Sequence, residues 1–244
     1  MKIDILTIFP EMVESPLKQS LIGRALEKGI VEIKIKDIRD FAKDKHATVD
    51  DVPFGGGSGM VMKIEPLTLA LESVLDGSVQ SRIVLTTAQG RRFDQKKAKE
   101  LSLEKHLVII CGHYKGVDER IKELFPLEEM SIGDYVLTGG EFASLVIVDA
   151  VVRLIPGVLG NFESAQTDSF LEGILGYSEY TRPKEFRGKK VPEVLVSGDH
   201  KKIRLWRREK ALRKTLETRP ELLQDEMLSS EDLAFINKLR SGKI

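Results

Sequence analysis

The chain has 244 residues, enough for one large domain or a medium domain with a small companion. Hydrophobic residues make up 41% and charged residues 31%, which allows a packed core and excludes a disordered tail. Its 38 basic and 38 acidic residues cancel, so total charge neither requires nor excludes a nucleic-acid partner and only its distribution can inform.

Residues 3–8 read as a buried strand, and the stretch before and through them lacks the apolar core of a signal peptide. Ser15 followed by Pro16 predicts an N-cap with proline in the first helical turn, and Gly29 supplies the stop. Residues 31–35 alternate apolar and charged side chains, the period of a half-buried strand. A helix over 64–75, a strand over 83–87, a helix over 95–103 and a buried strand over 107–111 follow. The last holds Cys111, the single cysteine, which excludes an internal disulfide and suits the reducing cytosol. Residues 141–154 form a strongly apolar helix. The apolar stretch 144–160 is interrupted by Asp149, Arg153 and Pro156, so it predicts no membrane span. The expectation is a soluble, cytoplasmic protein.

Strands alternating with helices imply an α/β fold with a mostly parallel sheet covered on both faces. Glycine-bearing connections interrupt it at 52–59, 88–90, 112–116 and 131–140. Three of the four follow an inferred strand at its carboxyl end, the edge where open α/β sheets bind ligands. Each alone reads more readily as a turn than as a site; their clustering suggests a flat, nucleoside-like ligand approached by backbone groups. No Gly-Lys-Ser/Thr follows the 55–59 run, and no glycine fingerprint joins the first strand to the first helix. A Walker site and a dinucleotide fold are thereby excluded.

The pattern fades from 156 to 176. We divide the chain into an α/β domain at 1–160, a linker or active-site loop at 161–176 and a basic, all-helical domain at 177–244. Residues 182–214 hold 13 Lys or Arg against 4 Asp or Glu. Within them a helix over 200–214 places Ile203, Leu205 or Trp206, and Leu212 inward and Lys201, Lys202, Arg204, Arg207 and Arg208 outward. Such a face can neutralise phosphates with release of counterions; a merely solvated helix and a membrane-surface helix remain open on the residues alone. Two further helices are expected at 221–227 and 231–239. The four histidines show no metal-ligand spacing. Arg153 stands four residues after Asp149, so a helical ion pair competes with a functional role. Asp168 likewise could cap a helix from Ser169 or serve a site.

Four runs are more specific than any single glycine pattern: DDVPFGGGSGMVMK at 50–63, CGHYKGVDER at 111–120, SIGDYVLTGGE at 131–141 and YTRP at 180–183. By them the chain resembles, essentially end to end, the bacterial tRNA guanosine-N1 methyltransferases of the SPOUT superfamily. The resemblance implies a deep trefoil knot, which the rarity of knots would have argued against. It implies that the knot's loops hold S-adenosylmethionine through Thr86, Thr87, Ala88 and Gly90; Gly112, Tyr114, Lys115 and Gly116; and Ile132, Gly133, Asp134, Tyr135, Val136, Leu137, Gly139 and Gly140. An obligate homodimer with its active site between subunits is also implied, with a C-terminal domain that grips tRNA. The implied target is guanosine 37 of tRNA, the base just 3′ of the anticodon.

Guanine N1 carries a proton and is a poor nucleophile until it leaves. By resemblance Asp168 removes it. A free aspartate has a pKa of about 3.9, so the anion formed on guanine needs stabilising as well. Arg153, the match to the family's catalytic arginine, could do so at O6. Holding donor and acceptor in register can contribute on the order of 7–11 kcal/mol. The family is also associated with magnesium, for which the sequence offers no ligand cluster. Three positions depart from the family's usual residues: Lys115 for glutamate, His113 for arginine and Ala88 for proline. Lys115 reverses a charge beside a cationic cofactor. Two rival readings are a fold-retaining RNA-binding protein without catalysis and a SPOUT methyltransferase acting on ribosomal RNA or a ribose hydroxyl.

Overall fold

The structure is a computed structural model that describes all residues except 76, 78, 161–167, 225–226 and 243–244. The chain divides into two compact units, Met1–Gly160 and Asn161–Ile244.

The first unit is built on a five-stranded sheet of β1 (Lys2–Thr7), β2 (Glu32–Asp37), β5 (Ser81–Arg92), β6 (His106–Cys111) and β7 (Leu127–Ser131). Their order is β2-β1-β6-β5-β7, and every neighbouring pair is parallel. The central strand β6 reads HLVIIC, and all six residues are buried, as expected of a strand covered on both faces. Its side chains alternate. Leu107, Ile109 and Cys111 join one core with Ile3, Ile5 and Val84. Helices α1 (Pro10–Leu17), α2 (Ser20–Glu27), α4 (Gln95–Leu101) and α6 (Glu141–Val152) add Val13, Ile22, Leu101, Ile147 and Val151 to it. Val108 and Ile110 face the opposite core with Leu6, Ile83 and Leu85. Leu67 and Leu71 of α3 (Ile64–Glu72) and Ile121 of α5 (Ile121–Leu124) complete that side. A two-stranded antiparallel ribbon, β3 (Asp50–Asp51) with β4 (Val61–Met62), frames the glycine-rich 55–59 run.

Three local expectations change. The first helix begins at Pro10, not after Ser15, with proline in the first turn where no N–H is needed. Pro16 lies inside it, cannot donate to the preceding turn, and the helix ends one residue later. Strand β5 continues through 88–90, which the sequence marks as a connection. It pairs twice with β7, through Ile83–Thr86 and again through Arg91 and Arg92, and the register shift between Thr86 and Arg91 bulges the intervening residues out of the ladder. The partner β7 itself, LEEMS, goes unread in the sequence because two adjacent glutamates hide its period.

The second unit contains α7 (Glu193–Val196), α8 (His200–Thr218) and α9 (Ser230–Arg240). It is not all-helical: β8 (Glu185–Phe186) and β9 (Lys189–Lys190) form a short antiparallel hairpin. In place of a helix over 221–227 there is a 3-10 turn at Pro220–Leu222, and 225–226 lie outside the described residues. Asp199 caps α8, accepting from the N–H groups of Lys201 and Lys202 at 3.1 Å each. Ser229 and Asp232 form a reciprocal capping box on α9. The core is small, centred on Ile174, Ala211, Leu212 and Ile236 with Tyr177, Leu216 and Phe235 against it.

Candidate functional site

Thr86 organises the carboxyl edge of the sheet. It is buried at the end of its ladder, and its hydroxyl donates to the Ile110 carbonyl at 3.0 Å while accepting from the Gly112 N–H at 3.3 Å. The loop after β6 is thus tied to β5. The loop after β7 is tied to both: Gly140 N–H donates to the Gly112 carbonyl at 2.8 Å, and Gly139 bridges His113. The approach is too close for side chains. A Cβ on Gly140 would overlap the Thr86 hydroxyl and lie 2.8 Å from Gly112 N and 2.9 Å from Cys111 Cα; one on Gly112 would lie 2.7 Å from the Thr86 carbonyl oxygen.

Directly after Gly140, α6 begins with Glu141, which is 1% exposed. Its carboxylate sits in the first helical turn, where the helix dipole favours a negative charge, and accepts from the Thr7 hydroxyl at 2.7 Å. His113 Nδ1 lies 4.0 Å from it, and Phe9 and Tyr114 flank the His113 ring at 5.2 and 4.8 Å. Tyr114 adopts a positive φ of 58°, strain of the kind that functional loops retain. Burial pushes its hydroxyl pKa up, and the Asp50 carboxylate nearby acts in the same direction. Burial also holds the Cys111 thiol up at about 12, so this cysteine is a core residue and not a nucleophile.

The three loops enclose a cavity of about 270 Å³. Thr86, Thr87 and Ala88 line it from the β5 bulge; Gly112, Tyr114, Lys115 and Gly116 from the second loop; Ile132, Gly133, Tyr135, Val136, Leu137, Gly139 and Gly140 from the third. Gly90 and Asp134 do not line it. Gly90 packs backbone to backbone on β7, where a Cβ would lie 2.5 Å from the Glu129 carbonyl carbon, and Asp134 is exposed. Outside the loops the sequence singles out, Leu85, Val117, Glu119, Lys122, Glu129 and Met130 also join the lining. Lys122 bridges Glu119 and Glu129 at 2.7 and 2.8 Å, placing two carboxylates against one ammonium at this wall. The glycine run at 55–59 is not part of the wall. It supports the rim instead: Lys115 N–H donates to the Met60 carbonyl at 3.0 Å, and a Cβ on Gly59 would lie 3.0–3.2 Å from the Lys115 stem.

This donor set fits a nucleoside-like compound. Leu85, Met130 and Leu137 offer apolar surface for a flat ring, the glycine backbones offer amides and carbonyls for its edges, and the threonine hydroxyls suit a ribose. Among the described residues no group of three His, Cys, Asp or Glu side chains that could hold a metal ion comes together. No helix among them is long and apolar enough to cross a membrane.

Arg153 is half-buried at the carboxyl end of α6 in the first unit. Asp168 is half-buried in the second unit, where the described residues after it form turns and not the helix it could have capped. It lines a separate cavity of about 380 Å³ together with Tyr177, Arg204, Arg207 and Arg208. On α8, Lys201, Lys202 and Arg204 are exposed. Lys202 pairs with Asp199 at 3.3 Å. The Arg207 guanidinium lies 4.9 Å from the centre of the Tyr177 ring. Trp206 lies 6.2 Å from Tyr180, with the Lys210 ammonium 5.7 Å from its own centre. Arg208 differs from the outward cation expected. It grips Asp232 with both ends of its fork, at 3.0 and 2.9 Å, and Glu172 at 2.9 Å. The Arg208 hydrogen bond holds the Asp232 carboxyl below its ordinary range.

Residues 1–225 match the sequence profile of the family described as tRNA (Guanine-1)-methyltransferase TrmD. The chain is 53% identical over 242 residues to the tRNA (guanine-N(1)-)-methyltransferase of Geobacter metallireducens, covering 99% of each. It is 52% identical over 240 residues to the like-named protein of Dictyoglomus turgidum, covering 98% of this chain and 97% of that one. The like-named protein of Geobacillus kaustophilus shares 52% over 238 residues, 98% of each.

Proposed function

Because the chain belongs to the tRNA (guanine-1)-methyltransferase family, we propose that it transfers a methyl group from S-adenosylmethionine to N1 of guanosine 37 in tRNA. The observation that carries this reading is the convergence of three strand-end loops on one glycine-walled cavity. The donor supplies an electrophilic methyl on a sulfonium. The residues lining the cavity bind it, and their close backbone packing keeps the seat in one shape, so that little ordering cost remains at the moment of reaction.

Asp168 takes the proton from guanine N1, and Arg153 donates to O6 as charge develops there. An ordinary carboxylate is a weak base for this purpose, so proton removal also requires that the anion formed on guanine be stabilised. The cations of α8, Lys201, Lys202, Arg204 and Arg207, carry the phosphate-neutralising role.

We further propose that the three loops form a deep trefoil knot and that the protein works as a homodimer in the cytoplasm, where its tRNA is found. Phe142 and Val146, one turn apart on α6, are 53% and 47% exposed, and Met12 of α1 adds to the uncovered apolar surface. Such surface on an otherwise well-packed unit supports self-association.

The test is nucleoside mass spectrometry after incubating the protein with S-adenosylmethionine and unmodified tRNA transcripts. The expected product is 1-methylguanosine with a guanosine-37 transcript and none with an adenosine-37 transcript. A 2′-O-methyl nucleoside, or methylation elsewhere, contradicts the reading.

A further inference from the structure

The first unit carries a cleft of about 620 Å³ besides its sheet-edge cavity. It is lined from β5 by Arg82, Gln89, Gly90 and Arg91, from α4 by Lys97, and from residues 126–129. The volume lies within the range of small-ligand pockets, roughly 300–1,000 Å³. The three cations are not equally engaged. Lys97 pairs with Glu100 and Glu128 at 2.8 and 3.1 Å. Arg82 meets the same two carboxylates at 3.1 and 2.5 Å, both through the terminal nitrogen Nη2. Its Nε is buried and has no hydrogen-bond partner among the described residues. Arg91 is exposed and has no ion pair among them. Glu129, the other carboxylate of the lining, is taken by Lys122 at 2.8 Å. Arg82, Lys97 and Arg91 therefore share only Glu100 and Glu128, and one positive charge is left over. A buried guanidinium N–H without a partner is destabilising, and native proteins keep few of them.

We propose that this cleft binds a small phosphate-type oxyanion, with Arg91 supplying the uncompensated charge and Arg82 donating its Nε–H. Guanidinium groups suit such a ligand because their N–H groups meet two oxygens at once. A free anion fits better than an RNA backbone: Glu100 and Glu128 stand among the donors and repel an extended polyanion, whereas a single group needs only the local N–H groups. The site does not depend on the methylation reading, but it adjoins the donor seat. Gln89 and Glu129 line both spaces. The register shift of β5 between Thr86 and Arg91 is the partition, with Thr86, Thr87 and Ala88 lining the donor cavity and Gly90 and Arg91 the cleft. An anion held at Arg91 restrains the bulge that walls the donor seat, so each ligand strengthens the other by the same factor.

The test is calorimetry with inorganic pyrophosphate at low ionic strength, on the full chain and on Arg91→Gln, Arg82→Lys and Lys96→Gln, each checked by thermal melting. Lys96 is an exposed cation of α4 outside the lining. Arg82→Lys keeps the charge that Glu100 and Glu128 pair with and removes the Nε–H. We expect saturable binding that Arg91→Gln and Arg82→Lys each weaken about tenfold and Lys96→Gln leaves unchanged. No saturable binding to the unaltered protein, undiminished binding in Arg91→Gln, or equal weakening by Lys96→Gln overturns the site. Arg91 is exposed, so its variant decides the matter even where Arg82→Lys melts early. Loss of tRNA affinity in Arg91→Gln without pyrophosphate binding to the unaltered protein would assign the cation to RNA and also overturn the proposal. Saturating pyrophosphate should raise the affinity for S-adenosylhomocysteine about fivefold, and this gain should vanish in Arg91→Gln; an unchanged affinity overturns the coupling. If S-adenosylhomocysteine does not bind while pyrophosphate binding still needs Arg91, the donor reading falls and the anion site stands.

Discussion

The two cavities of this protein are made of different material. The one at the sheet edge is held in shape by backbone packing: Gly112 and Gly140 lie against Thr86 at distances that admit no Cβ. The one in the second unit is walled by side chains, Tyr177 from the segment after Asp168 and Arg204, Arg207 and Arg208 from α8, with a small core nearby. A backbone-walled site has one shape and tolerates almost no substitution. A side-chain-walled site is adjustable residue by residue, because each group can be removed without closing the space. The first suits a ligand of one fixed shape, the second a ligand whose grip can be tuned.

Five substitutions sharpen or break this contrast. The largest effect belongs to the proposed chemistry. Asp168→Ala and Arg153→Ala should each lower single-turnover methylation by roughly 10²–10⁴-fold while cofactor binding by calorimetry stays intact. Near wild-type turnover in either variant removes that residue from the mechanism. Next comes Gly140→Ala. Its methyl must displace Thr86 or the Gly112 loop, so cofactor binding should be lost and the fold destabilised by about 1–3 kcal/mol, read by calorimetry and urea unfolding. Retained cofactor affinity would show that the wall yields, and the contrast between the cavities would disappear.

Arg208→Gln probes the adjustable side. Removing the fork leaves Asp232, 7% exposed, without its main partner, and should cost on the order of 2 kcal/mol. Because Arg208 holds the Asp232 carboxyl below its ordinary value, the ionised pair stabilises the fold fully above about pH 4. That contribution fades as pH falls through the lowered value. Acid unfolding of Arg208→Gln should therefore lack this component, and an acid transition identical to that of the unaltered protein would contradict the pairing.

Much of this contrast was legible in the sequence, and its gaps have physical causes. The β-strands around Ile109 and Ile5 announced themselves because strands buried on both faces must be continuous apolar runs. The strand-end glycines drew attention to the edge of the sheet where the first unit's cavity lies. What stayed hidden was contact between distant residues. β7 alternates poorly because Glu129 serves Lys122 and Glu128 serves Arg82 and Lys97. The continuation of β5 past Thr86 depends on that unseen partner. Arg208 looked like its neighbours because the acids that claim it lie 24 and 36 residues away along the chain. The glycine run at 55–59 looked like a cradle, whereas it buttresses the Lys115 loop from outside.

Lys115 gives the smallest expected effect. It is exposed on the cavity rim, so Lys115→Glu should tighten binding of the cationic analogue sinefungin only about two- to fivefold, as surface charges contribute roughly 0.2–1 kcal/mol. S-adenosylhomocysteine, with no charge at sulfur, should respond less. Equal responses would place the ammonium away from the sulfur position.

The central claim is that the sheet-edge cavity seats the methyl donor. Hydrogen–deuterium exchange with and without S-adenosylhomocysteine tests it most directly. Amides of 86–90, 112–116 and 132–140 should exchange more slowly with the ligand present, with no comparable change at 168–177. Protection confined to the second unit, or none at those three loops at saturating ligand, would contradict the account.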